Sequence, residues 1–140
     1  MNKDEKKTLN IKKTLDLAIK NHQKNNLKTA EQLYNQIIEF EPDHVESIFL
    51  LGSLSIQTKN FDRAKQLLQK AIQINPNYAA AYNNLGIVFK ELGDHKKAMR
   101  HFRKAIEIQP NFENAHYNIG LAFDKLYEFQ KAIACYEKAI

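Results

Sequence analysis

The chain has 140 residues, with 21 lysines and arginines against 16 aspartates and glutamates, a formal charge of +5. Four glycines and three prolines are too few for a sandwich or barrel, which needs turn residues every ~8–12 positions. One cysteine excludes an internal disulfide, no Cys/His spacing fits zinc, and no apolar run approaches the ~18 residues that cross a bilayer. The composition is that expected of a soluble, intracellular (cytoplasmic) helical protein.

The first stretch, MNKDEKKTLNIKK, has no apolar segment of the kind a secretory leader needs. Residues 1–28 hold eight lysines against Asp4, Glu5 and Asp16, so the whole excess of charge lies there and 29–140 is neutral. No arginine is among them, so bidentate readout of phosphate or guanine edges is not available. Residues 1–10 are expected to be a solvated basic extension, and no nucleic-acid partner is expected.

The prolines fall at 42, 76 and 110, two intervals of 34 residues. A fixed period of this size is the mark of a repeat array. In that frame the units are 11–44, 45–78, 79–112 and an incomplete 113–140. The eighth column reads Ala18, Gly52, Gly86, Gly120, and the twentieth is alanine throughout: Ala30, Ala64, Ala98, Ala132. Around them, at columns 4, 7, 11 and 24, stand large residues, such as Tyr82, Leu85, Phe89 and Phe102 in the third unit. Spacings of three and four put these on one helical face, and the small columns let two helices approach closely. Each proline ends a second helix, because it lacks an N–H and biases its predecessor away from helix. Gly93, with Asn25/Asn26 and Lys59-Asn60 in the same columns, supplies a left-handed turn between helices. The pattern predicts antiparallel pairs near 10–24/27–40, 45–57/61–74, 79–91/95–108 and 113–125/129–140.

These columns resemble the tetratricopeptide repeat family over 11–140, with NPNYAAAYNNLGIVFKELGDHKKAMRHFRKAIEIQPNFENAHYNIGLAF carrying the pattern almost without gaps. The first unit departs most, with Thr14 at the large fourth column and Asn21 at the aromatic eleventh. The resemblance implies an all-α fold, a right-handed α-solenoid of antiparallel helix pairs, with each first helix lining a concave groove. It assigns to that groove Phe49 and Ser53, then Asn83, Asn84 and Ile87, then Asn114, Tyr117, Asn118 and Leu121.

Asn84 and Asn118 share the sixth column in successive units. An amide offers both donor and acceptor, so a pair of them suits the backbone of an extended peptide. This is similar to the asparagine ladder in the repeat domain of O-linked N-acetylglucosamine transferase. Phe49, Ile87, Tyr117 and Leu121 add an apolar stripe beside the amides. The clamp by which some family members grip a terminal carboxylate is not expected, since only Asn84 matches its five positions.

Catalytic chemistry is weakly represented. The five histidines (22, 44, 95, 101, 116) occupy different columns; His116 is expected to pack in the fourth column and His22 to stand solvated at the groove. Cys135 reads as an ordinary thiol. No phosphate loop, GxSxG or HExxH is present. No catalytic residue, cofactor or metal is therefore expected, and the chain reads as a protein-interaction scaffold without enzyme activity. It is expected to hold an extended peptide or a partner helix, away from any membrane. The alternative is a substrate-recruiting segment of a larger glycosyltransferase or sulfotransferase. The sequence stops inside a second helix with no polar cap, which points to a longer protein or to homo-oligomer formation through that edge.

Overall fold

The computed structural model describes residues 1–139, the side chains at 131, 132, 135, 136, 138 and 139 excepted. The sequence columns and the thiol that fall on Ala132, Cys135, Tyr136, Ala139 and Ile140 lie outside the described residues. Among those described there are seven helices and no strand: α1 (Lys3–Gln23), α2 (Leu27–Phe40), α3 (Val45–Gln57), α4 (Phe61–Ile74), α5 (Ala79–Glu91), α6 (His95–Ile108) and α7 (Glu113–Ala139). They form two compact units, Met1–Asn75 with α1 to α4 and Pro76–Ile140 with α5 to α7.

Three hairpins are built in the same way. The turns pass through Asn25 (φ 64°), Lys59 (φ 62°) and Gly93 (φ 86°), one repeat apart. The following N–H reaches back five residues in each, Asn26 to Asn21, Asn60 to Ser55 and Asp94 to Phe89, at 2.8 Å every time. That is the Schellman closure, which satisfies carbonyls at the helix end. Asn60 and Asp94 then cap the next helix, accepting from the N–H of Arg63 at 3.3 Å and of Lys97 at 3.1 Å. At the far end Glu41, Asn75 and Gln109 leave the helix just before Pro42, Pro76 and Pro110.

The small columns do what their spacing predicts. In the first unit Gly52 lies against Leu68, where an added Cβ would come within 3.0 Å. In the second unit Gly86 lies against the ring of Phe102, which a Cβ would overlap. Ala18, Ala30, Ala64 and Ala98 are fully buried beside Tyr34, Leu68 and Phe102. Burying each such large side chain contributes about 1.5–3 kcal/mol.

One expectation is refined and one corrected. Residues 3–10 are exposed throughout, as a solvated extension would be, but they are helical and open α1. Asn2 accepts from Glu5 N–H at 2.8 Å, Glu5 accepts from Asn2 N–H at 3.0 Å, and Asp4 and Glu5 favour the positive helix start.

The fourth unit is not a helix pair: α7 runs unbroken through the position of the expected turn. The turn column, Asn25, Lys59 and Gly93, holds Tyr127 in this unit, and a left-handed conformation costs an ordinary L-residue about 1–2 kcal/mol. The next column, Asn26, Asn60 and Asp94, holds Glu128, so the capping side chain, which contributes about 1 kcal/mol, is also missing. With both signals gone, continuing the helix is the cheaper course. No described helix is long and apolar enough to cross a membrane.

Candidate peptide-docking face

The candidate groove residues lie on first helices of the repeats: Phe49 and Ser53 on α3 in the first unit, and the others on α5 and α7 in the second. On α3, Phe49 and Ser53 stand one turn apart and half-buried. The Ser53 hydroxyl donates to the Phe49 carbonyl at 3.1 Å.

On α5 and α7 the amides come together, with a partner the ladder did not anticipate. Asn118 Nδ2 donates to Asn83 Oδ1 at 3.1 Å, joining the two helices. Asn83 is only 4% exposed, so its placement as a groove residue is corrected: it braces Asn118 from beneath. A buried amide without partners would be costly, and this bond supplies one. Asn84 and Ile87 are half-buried on α5, while Asn114 is exposed on α7. Tyr117, at 69%, and Leu121, at 37%, are exposed and apolar. The result is a half-buried amide row beside open aromatic and aliphatic surface.

The histidines do not converge. His22 is corrected from a solvated group to a junction in the first unit. Its Nδ1 lies 3.1 Å from the Tyr34 hydroxyl and its Nε2 3.0 Å from Gln57 Oε1. Since Gln57 Oε1 can only accept, the ring donates from Nε2 and Nδ1 accepts from Tyr34. Gln57 Nε2 then donates to Asn25 Oδ1 at 3.2 Å, at the left-handed turn. Burial first, and the Glu46 carboxylate second, push the Tyr34 phenol up to about 12. This network involves side chains 12 and 35 residues apart, and no sequence column announces it.

His116 is exposed and sits 2.8 Å from the Pro110 carbonyl, so its expected packing role is corrected too. His101 is 2.8 Å from the Lys97 carbonyl with its ring 4.9 Å from Phe89. His95 faces Phe129, ring to ring at 5.6 Å, and its buried Nδ1 has no hydrogen-bond partner among the described residues. Among those residues no three His, Cys, Asp or Glu side chains stand together as a metal site.

A second groove, of about 740 Å³, runs between α1 and the end of α2. It lies beside Thr14, the short residue at the large column, with Lys7 Nζ 5.8 Å from the Phe40 ring centre.

Antiparallel hairpins of this length, closed on a small residue and turned at a left-handed column, define a tetratricopeptide-type helical repeat. A family model described as the tetratricopeptide repeat protein 21 C-terminal ARM domain matches residues 2–134, and the chain belongs to that family. No curated protein matches it. Among solved structures it is similar to MamA, at 29% identity and a TM-score of 0.77, covering 93% of this chain and 80% of that one. It is also similar to a Thermobaculum terrenum O-GlcNAc transferase mutant, at 25% identity and a TM-score of 0.81. That match covers 87% of this chain but only 23% of the transferase chain. The first repeat domain of Spaghetti (RPAP3), solved with the HSP90 peptide SRMEEVD, shares the fold at 18% identity and a TM-score of 0.80, over 84% of this chain and 93% of that one.

Proposed function

We propose that the chain is a protein-interaction scaffold that holds an extended peptide on the amide-lined face of α5 and α7. The observation that carries this reading is the Asn83–Asn118 bond, which fixes one amide on a half-buried wall next to exposed Tyr117 and Leu121. The fixed amide meets a peptide backbone at any sequence, because N–H and C=O recur at every residue. The aromatic and aliphatic surface receives an anchoring side chain and so supplies preference. The fold shared with the peptide-bound Spaghetti (RPAP3) domain supports the same use. Affinity of order micromolar follows from so few anchors and from the ordering a flexible ligand must undergo.

The test uses random peptides displayed on phage and selected on the intact immobilised chain. Selected peptides, once synthesised, are expected to lose roughly tenfold or more in affinity when Asn84 and Asn118 are both changed to Ala, about 1.4 kcal/mol. Equal binding to both proteins overturns the reading.

A second reading, a recruiting segment of a larger glycosyltransferase or sulfotransferase, is supported by the likeness to less than a quarter of the O-GlcNAc transferase mutant chain. A native message encoding a transferase domain in frame with this chain is its test, and one encoding none counts against it.

A further inference from the structure

Gly52 and Gly86 are each covered by the second helix of their own hairpin, but Gly120, in the same column, has nothing within 4 Å of where a Cβ would stand. Phe123 follows suit: it is 59% exposed, where its counterpart Phe89 is 8% exposed. A groove of about 370 Å³ opens beside it, lined by Met99 and Arg103 of α6 and by Phe123 and Tyr127 of α7. These three observations describe one uncovered cradle, the seat a second helix would fill.

The sequence that fits the seat is in the chain itself. In α6 the ring of Phe102 closes over the small column, with Ala98 and Ala105 fully buried on the same helix. The stretch 128–139 repeats them in sequence as Ala132, Tyr136 and Ala139. That stretch continues α7 outward, with Phe129 and Ile133 more than half exposed. Folding back onto its own cradle requires a left-handed residue at Tyr127 and a cap at Glu128, neither of which the residues favour. Docking on another molecule requires no turn at all.

We propose that the cradle between α6 and the first half of α7 receives the 128–139 stretch of a second copy of this chain. Charge agrees with the register. The Glu31 carboxylate accepts from Arg63, which sets the twenty-first column of one second helix beside the nineteenth of the next. The same offset sets Glu128 of the incoming copy beside Lys96, which has no ion partner among the described residues.

The contact is head to tail. The closing column lies sixteen residues beyond the small column, and at 100° per residue that is nearly the opposite side of a straight helix. One α7 therefore cannot give and receive along a single face with the same partner. Such a heterologous contact adds copies without closing on a dimer. It is separate from the amide face and stands or falls independently of it.

Sedimentation velocity of the intact chain over a roughly hundredfold concentration range tests this. The weight-average sedimentation coefficient is expected to keep rising past that of a dimer. Gly120→Leu, which fills the cradle with a good helix former, is expected to weaken association at least tenfold with helicity retained. Tyr127→Gly restores the turn residue, lets the stretch fold back on its own cradle, and is expected to give a monomer. A wild-type chain that stays monomeric, a plateau at dimer, or association unchanged in both variants overturns the proposal.

Discussion

Gly86 on α5 touches the ring of Phe102 on α6, and the same contact is missing one repeat later at Gly120. Two glycines in one sequence column thus do different work, and substitution separates them. Gly86→Ala forces a methyl into the Phe102 ring and is expected to cost about 1–3 kcal/mol. Gly120→Ala meets open space and gains helix propensity, so it is expected to be neutral or to stabilise by up to about 1 kcal/mol. Paired urea melts, with circular dichroism as readout, check both.

The His22 junction ties α1, α2 and α3 together through Tyr34 and Gln57. His22→Ala leaves the fully buried Tyr34 without that acceptor and is expected to cost about 1–2 kcal/mol. The control is His22→Ala with Tyr34→Phe, which removes both polar partners and is expected to recover part of the loss. Thermal melts of the single and double variants check this.

Tyr34 also makes stability depend on alkaline pH. Its phenol is held to about 12 in the folded chain against 10.0 in a free side chain, so the unfolded chain loses this proton first. The contribution is complete below pH 10 and is lost as the pH rises toward 12, by up to about 2–3 kcal/mol. Tyr34→Phe is expected to flatten that part of the curve, with lysine titration left as the shared background. Denaturant melts between pH 9 and pH 12 compare the two slopes (roughly 1.4 kcal/mol per group per pH step).

Asn83→Ala removes the acceptor for Asn118 Nδ2. A loss of about 1 kcal/mol in stability is expected, together with weaker capture of peptides selected on the wild type. Asn84→Ala is expected to weaken capture while leaving the Asn83–Asn118 bond in place. Isothermal titration with one selected peptide separates the two.

Much of this fold is legible in the sequence. The 34-residue period fixes six of the helices and all three turns, because each turn carries its own local chemistry at Asn25, Lys59 or Gly93. The start of α1 is legible too, as Asn2 followed by Glu5, a capping box set within a lysine-rich run. The break expected near 126 is absent because the turn column, which holds Tyr127, outweighs the packing columns that continue the repeat pattern. The Asn83–Asn118 and His22–Tyr34–Gln57 contacts were not legible: they depend on the angle at which one helix lies on the next, which no column encodes.

The central structural claim is that the residue at the turn column decides between a helix pair and a single helix. Spin labels at Asn114 and Glu137, with Cys135→Ser, measure it by the distance between them. A continuous α7 places the two backbones about 35 Å apart, at 1.5 Å per residue. Folding back as a pair would bring them within about 20 Å, given helix axes some 8–10 Å apart. The account predicts the long distance in the parent chain and the short one after Tyr127→Gly; a short distance in the parent contradicts it.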